Sequence, residues 1–100
     1  MTERFETLTE IKNANTALGH HWFEKDSMRF FSSRISPATI YHRGGRTFFI
    51  SSECQEPGVT PRRWNVREAL PDGRINTLGE FMVHGTRTAA LKFLKSEIPA

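Results

Sequence analysis

An α+β fold is what this 100-residue sequence predicts: an N-terminal helix, an antiparallel sheet of four or five short strands built from hairpins, and a C-terminal helix, with both helices packed on one face of the sheet. Three observations lead there. Apolar residues recur at spacings of three and four near both ends, as one buried helix face requires. The middle holds short runs rich in aromatic and β-branched residues instead, bounded by glycine and proline. Two of the breaks, Gly44-Gly45 and Pro71-Asp72-Gly73, are short enough to join antiparallel neighbours. The length suits one domain, residues 1–100, with a single modest core.

Residues 2–18 read as the first helix, with Phe5, Leu8, Ile11, Ala14 and Leu18 on its apolar stripe. Thr2 is the expected N-cap, Glu3 and Glu6 suit the positive end of the dipole, and Gly19 supplies a left-handed C-cap. His20-His21-Trp22-Phe23 and a turn over 24–27 lead into an expected strand over 28–35, which Ser36-Pro37 interrupts. Strands over 40–43 and 46–52 flank Gly44-Gly45, where positive φ angles make a tight hairpin. The segment 53–61, with two prolines and a glycine, is a loop. A second hairpin pairs 64–68 with 75–81. The closing helix covers 86–97, capped by Thr86, with Ala90, Leu91, Leu94 and Ile98 turned inward and Pro99 ending it.

Charge is distributed unevenly. The formal net of +3 resolves into −2 over residues 1–28, +4 over 29–74 and +1 over the remainder, and every cation of the central segment is arginine. Arginine is the better residue for bidentate contact with carboxylate or phosphate. Cys54 is the sole cysteine, so no internal disulfide forms, which fits a reducing, cytoplasmic setting. The first twenty residues are charged and lack the apolar core of a secretory signal, and no apolar run approaches bilayer thickness.

No pattern for catalysis or cofactor binding emerges. His20 and His21 are adjacent rather than helically spaced, and His42 and His84 lie apart in sequence, so the four imidazoles give no metal-ligand spacing. Cys54 at a strand end reads as a small buried hydrophobe, the serine pairs at 32–33 and 51–52 lack a nucleophile elbow, and Glu53, Glu56 and Glu80 have no supporting acid–base partner. Gly44-Gly45 is a turn and not a phosphate loop. The expectation is therefore a protein with no enzymatic activity, no cofactor and no metal.

Arginine interleaved with aromatic rings is the feature that points to a function. In strand alternation, Arg63, Asn65 and Arg67 share one face, and Trp64 and Val66 share the other, which the helices are expected to cover. On that reading Trp64→Ala costs about 3–5 kcal/mol, while Arg63→Ala and Arg67→Ala cost about 0.5 kcal/mol each. The pairs Phe30-Phe31 and Phe48-Phe49 put one ring on each face. Either an aromatic and cationic face is left open for a partner, or the loop 53–61 and residues 20–27 cover it. Arg29, Arg46, Arg62, Arg63, Arg67, Arg74 and Phe31 are the candidate contacts to a partner or nucleic acid. Pairing of the arginines with Glu53, Glu68 and Glu80 across the strands is the alternative use of the same charges.

The pieces MRFFSSRI at 28–35, TFFISSE at 47–53, PRRWNVRE at 61–68 and DGRINTLGEF at 72–81, followed by a short alanine-containing helix, resemble an uncharacterised family of small proteins from phages and other mobile elements. The resemblance spans roughly residues 20–95. It implies an accessory gene product that binds a host protein or protein–nucleic-acid complex, counter-defence inhibition included; the alternative is direct nucleic-acid binding by the sheet. The order of elements is also similar to double-stranded RNA-binding domains, but the start of the last helix, 85–90, offers Arg87 alone where those domains carry a basic cluster.

Overall fold

The computed structural model describes residues 5–30, 32–35, 39–54, 56 and 58–99. It is an α+β fold. Helix α1 spans Leu8–Leu18 and α2 spans Lys25–Phe30; strands β1 (Tyr41–Arg43), β2 (Arg46–Glu53), β3 (Arg63–Ala69) and β4 (Ile75–Leu78) follow, and α3 (Arg87–Glu97) closes the chain. The strands form one antiparallel meander in the order β1-β2-β3-β4. Its register runs from Thr47↔Ala69 at one end of the β2–β3 pair to Glu53↔Arg63 at the other.

The first helix starts later than its apolar spacing suggests. Thr7 is the N-cap, its hydroxyl accepting from the Glu10 amide at 3.2 Å, while the Glu10 carboxylate reaches back to the Glu6 amide at 3.3 Å. The sequence Thr7-Leu8-Thr9-Glu10 carries this reciprocal capping pattern. Thr2, the cap expected from sequence, lies outside the described residues. Phe5 precedes the helix yet remains buried. Gly19 at φ 89° ends α1, and Thr86 caps α3 through the Ala89 amide, both as the sequence predicts.

The described residues of 28–35 do not form the expected strand. The Met28 amide bonds the Glu24 carbonyl at 2.9 Å, so the turn after His21 continues into α2. An alternating pattern this short fits a helix as well as a strand, and here the local hydrogen bonds win. Only Arg34 behaves as part of a sheet. Because β1 covers just the beginning of β2, Arg34 pairs its backbone with Ser52 further along the same edge. His84 does the same for Trp64 beyond β4, which ends at Leu78 rather than at 81.

The two terminal helices lie on opposite faces of the sheet, not on one. Phe48, Ile50 and Val66 pack with Ala90 and Leu94 of α3, joined by Tyr41, Trp64, Leu91 and Phe93. Phe49 and Ala69, on the other face, pack with Phe5 and Ile11, joined by Leu8, Ala14, Trp22, Phe23 and Ile75. The reason is in β2, whose adjacent Phe48 and Phe49 are both 0% exposed. Fully burying each ring contributes about 1.5–3 kcal/mol, and both are buried only if both faces are covered. Trp64 faces α3, as alternation requires.

Asn15 fastens α1 to two other parts of the chain. Its Nδ2 donates to the Gly73 carbonyl at 2.9 Å and its Oδ1 accepts from the Trp22 amide at 2.7 Å, with the side chain fully buried. Gly73, at φ 105°, sits so close that a Cβ there would lie 2.6 Å from the Ala14 carbonyl oxygen.

Candidate binding site

The sheet face turned towards α1 is polar at its far end. Ser51, Glu53, Asn65 and Arg67 are all buried there. Glu53 Oε1 accepts from Ser51 Oγ at 3.1 Å and from Asn65 Nδ2, and lies 3.4 Å from Arg67 Nη2. Arg67 Nε donates to Ser51 Oγ at 3.0 Å, and Nη1 donates to Thr77 Oγ1, the residue opposite it on β4. Burial pushes the Arg67 guanidinium below the usual arginine range, and the charge and hydrogen bond of Glu53 oppose that shift. Among the described residues Glu53 Oε2 is buried without a hydrogen-bond partner.

Two aromatic rings flank Arg67. Its guanidinium carbon lies 5.3 Å from the ring centroid of Trp22 and 5.3 Å from that of Phe81. Buried amides place both rings. Asn15 holds the Trp22 backbone, and Asn65 Oδ1 accepts from the Met82 amide at 2.5 Å, fixing the chain beside Phe81. Trp22 is held further by edge contacts to Phe23 and Phe49, at 4.7 and 5.8 Å between centroids. The result is a cleft of about 320 Å³ lined by His20, Trp22, Ser27, Met28, Ser33, Arg67 and Phe81.

A second, shallow and open cleft of about 320 Å³ adjoins the first, with Met28 and Ser33 lining both. Its other walls are Lys25, Arg29, Ser32 and Arg34. The three cations are exposed, and none is in an ion pair with a described residue. Of the neighbouring acids, Glu24 lies with Oε1 2.8 Å from His21 Nδ1, and Asp26 is exposed in the first turn of α2. Among the described residues no carboxylate lines either cleft. Phe30, at the end of α2, is 74% exposed.

The structure divides the candidate contacts expected from sequence. Arg29 and Arg67 belong to the two adjoining clefts. Arg62 braces the chain after α2 against β2, donating through Nη1 to the carbonyls of Ser32 and Ser52, each at 2.9 Å. Arg63 is exposed at the same end of the sheet, with Nη1 near Gly85. Arg46 and Arg74 lie at the opposite end. Arg46 makes a bidentate pair with Glu68, at 2.8 and 2.6 Å, which raises its pKa through the hydrogen bond, and it stacks over Phe48. Arg74 pairs with Asp72 at 2.8 Å, and the Arg74 backbone amide bond holds the Asp72 carboxyl below its usual range. Phe31 lies outside the described residues.

Arg67 is therefore no surface cation, and the small stability cost expected for its removal is corrected below. Lys25, Arg34, Trp22, His20, Met28, Ser33 and Phe81 are site residues that alternation does not find. The four-residue spacing of Lys25 and Arg29 is the signal that places them on one helix face.

Of the side chains considered for catalysis, Cys54 and His42 have hydrogen-bond partners, whereas His84 Nε2, like Glu53 Oε2, is buried without one among the described residues. The Cys54 thiol is buried and donates to the Thr60 carbonyl at 3.2 Å. His42 Nε2 lies 2.7 Å from the Phe5 carbonyl, and His84 packs on Phe93 with 4.8 Å between ring centroids. Among the described residues no three His, Cys, Asp or Glu side chains form a group able to hold a metal ion. No helix among them is long and apolar enough to cross a membrane.

Fold and site together define a small α+β domain whose four-stranded sheet is covered on both faces and which carries a cationic and an aromatic cleft side by side. The chain belongs to a family of unknown function, DUF7447, whose profile matches residues 7–95. Comparison with curated proteins and with solved structures gives no match.

Proposed function

We propose that this protein acts by binding and performs no catalytic step: it docks on a protein–nucleic-acid assembly of a host cell through the clefts beside α2. The observation that carries this reading is the set Lys25, Arg29 and Arg34, three exposed cations around one cleft with no ion pair to any described residue. Charges without an ion-pair partner among the described residues can attract and orient an acidic partner. Phe30 beside them supplies apolar area that a partner can desolvate, as buried aromatics at interface centres do. Arg46 and Arg74 support the reading less, because each already has a carboxylate.

The resemblance to small phage and mobile-element proteins supports the setting: an accessory product in the host cytoplasm, with inhibition of host defence as one form of the activity. The reading requires no cofactor. Affinity capture from bacterial lysate, with and without nuclease, tests it when wild type is compared with Arg29→Glu/Arg34→Glu. A stoichiometric partner retained by wild type and lost on charge reversal is the expected result. Equal retention by both, or no partner at low salt, overturns it.

A further inference from the structure

We infer that the two adjoining clefts form one site for a nucleotide unit, with the base in the aromatic cleft and its phosphates in the cationic one. The inference rests on the binding role proposed above and names the chemistry of the contacted group. A nucleotide joins a flat π-system to an anion, and the protein offers the complements of both side by side. Trp22, Met28 and Phe81 give the first cleft an apolar and aromatic lining, with Ser27, Ser33 and His20 as polar groups for a base edge. Lys25, Arg29 and Arg34 give the second its charge, and Met28 and Ser33 are the wall between them. Bases stack on aromatic side chains largely without regard to sequence, and phosphates are held by cations.

The site is built rather than incidental. Trp22 and the chain at Phe81 are each fixed by a buried asparagine, and Arg67 stands between the two rings with its charge balanced by Glu53. An acidic peptide without aromatic side chains would satisfy the cationic cleft but leave the flat lining beside it unused. Among the described residues no carboxylate is part of either lining.

The test is a fluorescence titration of the 100-residue Trp64→Phe chain, in which Trp22 is the remaining indole. The probes are a short oligothymidylate, an abasic strand of equal length, thymidine monophosphate and polyglutamate. Stacking predicts quenching by the oligonucleotide and an affinity at least about 5-fold higher than for the abasic strand. Three phosphate contacts predict a log–log salt slope near about −2 for a single strand. Arg29→Ala/Arg34→Ala should weaken binding at least 10-fold. Thymidine monophosphate binding as tightly as the oligonucleotide supports the site and identifies free nucleotides as its source. Tighter oligonucleotide binding supports it and identifies the unpaired strand. Equal affinity for abasic strand or polyglutamate, or no quenching by any probe, overturns the inference. If captured protein still depends on Arg29 and Arg34 after nuclease while oligonucleotide does not bind, the nucleotide site falls and the proposed function stands.

Discussion

Arg67 illustrates how a residue's chemistry depends on which side of the sheet is covered. Strand alternation places it opposite Trp64, and the structure keeps that geometry, but the face it occupies is roofed by Trp22 and Phe81. A buried cation that loses its partner, or leaves one behind, is costly. Arg67→Ala strands the Glu53 carboxylate among Ser51 and Asn65, so the expected loss is about 3–5 kcal/mol and not the small change of a surface site. Chemical denaturation measures it. Arg67→Met combined with Glu53→Leu removes both charges together and should cost less than Arg67→Ala alone; a larger cost for the double variant contradicts the buried pair. Asn15 is legible only in the structure, since a polar residue on a helix reads as exposed, yet it bonds Gly73 and Trp22 at once. Asn15→Ala should cost about 2 kcal/mol or more, because a buried carbonyl and a buried amide each lose a partner. It should also change the fluorescence of Trp22.

At the level of elements, the hairpins around Gly44-Gly45 and Asp72-Gly73 were readable because turn geometry restricts which residues fit. Thr86 and Gly19 were readable for the same reason. The segment 24–35 was not, because its few residues satisfy both periods and the deciding hydrogen bonds involve the backbone alone. The apolar spacing does not mark the start of α1, because it continues through Phe5, which is buried without being helical. The Thr7–Glu10 pair fixes the true start, so Thr7→Ala should lower stability by about 1 kcal/mol, measurable as a shift in melting temperature. Gly73 is a stricter case. Its positive φ and the 2.6 Å approach to the Ala14 carbonyl oxygen leave no room for a Cβ. Gly73→Ala should therefore separate α1 from the β3–β4 turn and destabilise the fold by more than the roughly 1 kcal/mol typical of point changes. A Gly73→Ala protein as stable as wild type contradicts that packing.

For the whole molecule, the α+β class and the two hairpins follow from sequence, whereas the layering does not. Alternation tells which residues share a face and is silent on what covers it. Adjacent Phe48 and Phe49 could have left one ring on an open surface; instead α3 takes one face, and α1 with Trp22 takes the other. With both faces occupied, Lys25, Arg29 and Arg34 form an exposed cationic group on and just after α2, lining a cleft that the hairpin arginines do not line. The direct measurement of this claim compares two double variants of equal net charge. Oligothymidylate binding is titrated by fluorescence anisotropy for Arg29→Ala/Arg34→Ala and for Arg46→Ala/Arg74→Ala at one ionic strength. The account predicts at least a 10-fold loss for the first pair and less than a 3-fold loss for the second. Equal losses, or the larger loss at Arg46 and Arg74, would contradict it and return the binding surface to the sheet.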